Sequence, residues 1–256
     1  MPVSLLNRTA VGLKIASGVV LMVGSIAIAT AAPAPETTPS PLTGAPSKTP
    51  GLGDPAGRGS AKKKRSPESA AAKQCREEVA QAFATQRDTG AFSMKTRMID
   101  QRGVVFMTVD YQLPTNMRQR VKTLSSPDAV ETILVAGRAW TRTGEAAKWQ
   151  PLKQEQVGAL ADQLAETVVE PAKDPLRYRC TEDISVDGKT LKTYQGTQVD
   201  PLGKVEPNSP IRIVHVEEKT GLPVMNAVAP TGQPDKPFFK ATYSYPSDLT
   251  ITPPVN

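Results

Sequence analysis

The stretch Phe92–Tyr111, FSMKTRMIDQRGVVFMTVDY, decides the fold. Phe92, Met94 and Met98 fall on one side of an alternating segment, and Val105, Met107, Val109 and Tyr111 do the same in the next, with Asp100–Gly103 between them. Alternation with a period of two on either side of a glycine-bearing turn predicts a β-hairpin. Toward the C-terminus the signal recurs in short pieces: Met117–Leu124, Glu131–Thr141, Lys148–Leu152, Tyr178–Val186, Thr190–Gln198, Ile211–Glu217, Leu222–Val228, Phe238–Tyr245 and Leu249–Ile251. Ala136-Gly137, Asp187-Gly188 and Thr220-Gly221 supply turns. Two stripes have helical spacing instead. Ala72, Cys75, Val79, Ala82 and Phe83 form one, ending near Gly90, with Glu77 and Glu78 placed in early turns where the helix dipole favours acid. Val157, Leu160, Ala161, Leu164 and Val168 form the other, between Pro151 and Pro171. Many short strands in meander order with only two helices predict an α+β fold, one large curved antiparallel sheet (a half-barrel) whose concave face the helices cover.

Upstream of this domain, read as residues 72–256, the chain changes character. Residues 1–31 have Arg8 and Lys14 before an uncharged run from Ile15 to Ile28, then Ala29-Thr30-Ala31, the small-x-small pattern of a signal peptide cut after Ala31. An uncleaved anchor is the competing reading, but the apolar run is short of the roughly 20 residues that span a bilayer. Residues 32–71 hold eight prolines, five glycines and no aromatic residue. Such a composition buries too little surface to offset chain entropy and predicts a disordered linker. Its basic run Lys62–Arg65 has two readings, a solvated tether or a contact with anionic headgroups.

Charge and cysteine usage narrow the function classes. Of the net +6, the leader carries +2 and residues 32–71 carry +3, which leaves +1 for residues 72–256. The domain is not a basic nucleic-acid surface. Export makes the two cysteines, Cys75 and Cys180, a predicted disulfide in a periplasmic or secreted protein. With one histidine, His215, and two cysteines, no Cys/His metal cluster can be assembled, and no cofactor is expected. His215 lies within the alternating segment Ile211–Glu217, and no Gly-x-Ser-x-Gly elbow accompanies it. Adjacent carboxylates such as Glu217-Glu218 and Glu182-Asp183 would point to opposite faces of a strand. The chain is therefore read as a binding protein and not an enzyme.

Outside the leader, all five methionines (Met94, Met98, Met107, Met117 and Met225) lie in strand segments. Thioether side chains fill ordinary cores, and they also adapt to ligands of variable shape. A family likeness bears on this choice. Phe92-Ser93-Met94, Leu113–Val121 (LPTNMRQRV), Glu131–Trp140 (ETILVAGRAW), Lys148–Leu152 (KWQPL) and Leu249–Pro254 (LTITPP) together, in this order, resemble the LolA/LolB superfamily of periplasmic lipoprotein carriers, with its mycobacterial lipoproteins and RseB-like regulators. The resemblance implies a half-barrel lidded by helices, with a cavity for the acyl chains of lipids or lipoproteins. The residues assigned to that cavity are Phe92, Met94, Met98, Met107, Val109, Tyr111, Ile133, Val135 and Trp140. A monomer with at most transient membrane contact is expected, and, in the regulator reading, an envelope protein as partner. The chain departs from the carriers at Leu113, where they keep an arginine that holds the lid. Arg118 and Arg120 are the candidates to replace it.

Overall fold

The structure is a computed structural model, and the residues it describes are 68–100, 103–170, 175–200, 204–205 and 208–255. The expected signal peptide and the basic run of the linker lie outside them. The first described element, helix α1 (Ala70–Asp88), starts within the stretch read as linker. Ser69 caps it, its hydroxyl accepting from the Ala72 amide at 3.2 Å, and Arg76 reaches back to Glu68 at 3.0 Å. The proline-rich composition upstream masked a good N-cap followed by three alanines, the best helix formers. Glu77 and Glu78 therefore sit well inside α1, not at its positive end, and Glu78 accepts the Tyr194 hydroxyl at 2.8 Å instead.

Twelve strands follow: β1 (Ala91–Asp100), β2 (Gly103–Gln112), β3 (Asn116–Thr123), β4 (Val130–Val135), β5 (Arg138–Thr143), β6 (Gln150–Pro151), β7 (Arg177–Cys180), β8 (Ile184–Val186), β9 (Lys189–Thr197), β10 (Ile211–Glu217), β11 (Pro223–Ala229) and β12 (Phe239–Ser244). Helix α2 (Gln154–Leu164), continued by a π-helical turn over Ala165–Val169, lies between β6 and β7. All pairings are antiparallel, in the order β6-β5-β4-β3-β2-β1-β12-β11-β10-β9-β7, with β8 hanging on β9. β6 and β7 end the path without meeting, so the sheet stays open. This is the expected α+β half-barrel.

The β1–β2 hairpin forms in the register the alternation predicts, Phe92 opposite Tyr111 and Met98 opposite Val105. The turn expected at Ala136-Gly137 divides the stretch Glu131–Thr141 into β4 and β5: both residues take positive φ, 50° and 71°, and turn the chain back. Tyr178–Val186 likewise divides into β7 and β8. Leu249–Ile251 is not a strand. Its Ile251 is buried against Ile133 and Val135, with Trp140 and Trp149 packed around it, and its amide donates to Gln112 Oε1 at 3.2 Å. Side-chain burial, and not strand pairing, holds this tail.

Helix α1 buries Cys75, Val79 and Ala82 against Tyr178, Tyr194, Val214 and Val216, from β7, β9 and β10. The Cys75–Cys180 disulfide ties the helix to β7 across 105 residues. Gly196 is required at this contact: a Cβ there would stand 2.8 Å from the Tyr178 ring. Helix α2 packs against β4 and β5 at the other end of the sheet.

Candidate ligand-binding face

Directly paired residues in an antiparallel sheet share a face. One such row runs through Cys180, Tyr194, Val214, Asn226, Ala241, Thr96, Met107 and Val121, so the face that α1 covers at one end continues to β1, β2 and β3. Six of the nine cavity candidates lie on it: Phe92, Met94 and Met98 on β1, and Met107, Val109 and Tyr111 on β2. Phe92, Met107, Val109 and Tyr111 are buried, while Met94 and Met98 are half-buried. Ile133, Val135 and Trp140 lie on the opposite face. Met117 pairs with Leu134 and Leu134 with Ala139, so the inner face passes between them, and Ile133 pairs with Arg118 and Trp140. These three pack with the C-terminal tail, on the other side of the sheet from the other six. Met225 also points outward, in line with His215 and Thr242, which leaves four methionines (Met94, Met98, Met107 and Met117) on the inner face.

The inner face is aromatic at one end. The Phe92 ring lies 4.8 Å from Tyr111, 6.3 Å from Tyr243 and 6.4 Å from Tyr245, and Tyr243 meets Phe83 of α1 edge-on at 6.3 Å. Burial pushes the hydroxyls of Tyr111, Tyr243 and Tyr245 up, so these rings stay neutral. Tyr245 donates to the Pro223 carbonyl at 2.6 Å and accepts from Gln86 of α1 at 3.0 Å, which fixes that end of the face to the helix. Toward the middle the face mixes apolar and polar groups, and the buried Asn226, beside Ala241, accepts from Arg212 Nε at 3.0 Å. Gln119 donates to the Met107 sulfur at 2.9 Å. Between Met107 and Ala241 stands Thr96, 4% exposed, whose hydroxyl has no hydrogen-bond partner among the described residues. Thr96, Ala241 and Tyr243 escaped the sequence reading. The alternation of Phe239, Ala241 and Tyr243 was there to be read, but the pairing of the last strand with the first is not a local signal.

A separate open cleft of about 200 Å³ lies beside α1, lined by Glu78, Cys180, Asp183, Lys192, Thr193 and Tyr194. Glu78 is held ionised below its usual range by hydrogen bonds from Gln74 and Tyr194. On the outer face, His215 Nδ1 lies 3.0 Å from the Thr193 hydroxyl. Burial, and then the charge of Lys240, lowers its basicity, so the ring is neutral at neutral pH. Arg118 and Arg120 also face outward, onto the buried carboxylate of Glu131 at 3.6 and 3.7 Å, and Arg142 completes that cluster at 2.8 Å while lying over the Trp149 ring. Both arginines thus point away from the inner face. Leu113 stands in the β2–β3 turn, its amide bonded to the Gly90 carbonyl at 2.7 Å.

No family model and no curated protein sequence matches the chain. Solved structures do. The Mycobacterium tuberculosis lipoprotein LppX is similar at 12% identity over 72% of this chain and 98% of that one, with a TM-score of 0.47. LprF from Mycobacterium bovis is similar at 14% identity over 74% and 99%, also with a TM-score of 0.47. The MucA/MucB complex of Pseudomonas aeruginosa is similar at 16% identity and a TM-score of 0.38, over 66% of this chain and 55% of that one. This chain thus spans little more than half of the last. At such identities, ligand and partner have to be argued from the side chains of this chain itself.

Proposed function

We propose that the chain binds the acyl chain of a lipid or lipoprotein against the inner face of β12, β1, β2 and β3, without covalent chemistry, in an exported protein of the cell envelope. The observation that carries this reading is the belt of Phe92, Met94, Met98, Met107 and Val109 with the unpartnered Thr96 hydroxyl at its centre. A buried hydroxyl without a partner costs about 1–3 kcal/mol. The carbonyl of an ester or amide at the head of an acyl chain would accept its proton. Each buried methylene contributes about 0.8 kcal/mol, so a chain of about 16 carbons has a gross drive near 12 kcal/mol before association entropy is subtracted. Four inward methionines suit a ligand of variable length and unsaturation.

Uptake of a fluorescent fatty acid by the delipidated protein tests the site. Met107→Lys places a charge in the belt and is expected to abolish saturable uptake, and Thr96→Val, which keeps shape and removes only the hydroxyl, is expected to weaken it by about tenfold, the equivalent of one hydrogen bond. Thr96→Val should leave folding stability unchanged or raised, so a loss of uptake in that variant does not reflect unfolding. Undiminished uptake in both variants rejects the site.

A further inference from the structure

The outer face of the same four central strands has a different character, and no part of the acyl-binding reading accounts for it. In register across β12, β1, β2 and β3 stand Lys240, Arg97, Phe106 and Lys122, a row spanning three strand spacings, about 14 Å. All four point away from the core, Phe106 is 42% exposed, and Ile99, one step further along this face of β1, is 48% exposed. Lys95 adds a sixth exposed residue and a fourth cation to the patch. Lys95, Arg97, Lys122 and Lys240 form no ion pair among the described residues, whereas the neighbouring Arg118 and Arg120 are occupied by Glu131 and Glu145. The carboxylate on this face of β2, Asp110, accepts the Ser93 hydroxyl at 2.6 Å.

Arg97 and Lys240 are direct cross-strand partners. Like charges in that position destabilise a sheet, and an acid at either site would have relieved the repulsion at no cost to the core. The domain as a whole carries almost no net charge, so this concentration is local and does not follow from composition. We propose that this face docks on a bilayer rich in anionic lipid. Cations set around an exposed aromatic ring suit the boundary between headgroups and acyl chains, where the ring enters the apolar layer and the ammonium and guanidinium groups remain at the phosphates. Charge complementarity selects the anionic surface, and Phe106 and Ile99 favour a bilayer over an acidic polypeptide, which would match the charges and leave the two apolar side chains in water.

Vesicle co-sedimentation of the full chain tests this. Binding is expected to vesicles of equal parts phosphatidylcholine and phosphatidylglycerol, not to phosphatidylcholine alone, and to fall as salt is raised. The triple variant Arg97→Gln, Lys122→Gln, Lys240→Gln should bind roughly tenfold to a hundredfold more weakly. Phe106→Ser should weaken binding while keeping the salt dependence. Fatty-acid uptake should be unchanged in both variants, which separates this surface from the inner-face site and confirms that they fold. Wild-type binding by the triple variant overturns the proposal and assigns the affinity to the Lys62–Arg65 run. Equal competition by soluble polyglutamate, with no effect of Phe106→Ser, overturns it in favour of an acidic protein partner.

Discussion

Glu131 shows how a single side chain orders one edge of the sheet. Its carboxylate is buried on the outer face, receives Arg142 through Nε at 3.1 Å and Nη2 at 2.8 Å, and draws Arg118 and Arg120 toward it from β3. Removing one partner of a buried ion pair typically costs about 3–5 kcal/mol, but Arg118 and Arg120 are half in water and can be solvated there. Glu131→Gln is therefore expected to cost about 2 kcal/mol, read as a lower urea midpoint at unchanged slope. His215 gives the second prediction at this scale. Burial lowers its folded-state basicity, so on acidification the unfolded chain takes up the proton first. Its contribution to stability is complete above the ordinary histidine value of 6.5 and is lost as pH falls from there toward the depressed folded value. Urea midpoints measured between neutral and mildly acidic pH should decline for the wild type and decline less for His215→Gln. An unchanged slope in that variant would show that another group titrates there.

At the scale of elements, sequence and structure agree where the signal is local. The β1–β2 hairpin, the Asp187-Gly188 turn with both φ positive and β10 over Ile211–Glu217 were all legible, because alternation and turn chemistry are properties of neighbouring residues. β4 was not legible in the way that mattered. Every residue from Glu131 to Val135 is buried, with the C-terminal tail on one face, so its apolar content does not reveal which residues point inward. The six residues between β3 and β4 fix that parity through the loop they form, and a slip of one would exchange Ile133 for Leu134 at the inner face. Gly196 was equally hidden, since its role depends on a ring two strands' sequence away. The disulfide was legible from an even cysteine count, and it carries the prediction at this scale. It closes a loop of 105 residues, and the chain-entropy model assigns such a loop about 4–5 kcal/mol. The Cys75→Ala, Cys180→Ala double variant should lose that amount in chemical denaturation. A loss below about 1 kcal/mol would show that α1 is held on β7 and β10 by its apolar contacts alone.

On the two proposals made above, the two faces of one sheet would serve two tasks, acyl binding inside and bilayer contact outside. Inside, four methionines and an aromatic cluster share a face with the Thr96 hydroxyl, which has no partner among the described residues. Outside, cations that form no ion pair among the described residues flank an exposed phenylalanine. No described helix is long and apolar enough to cross a membrane. Acyl binding at the inner belt is tested by native mass spectrometry of the protein isolated from its own cells without detergent exchange. A bound species whose mass matches one acyl lipid per chain, lost in Met107→Lys, is the expected result. A wild-type protein that carries no lipid, and that takes up no fatty acid saturably when offered it, would contradict the claim.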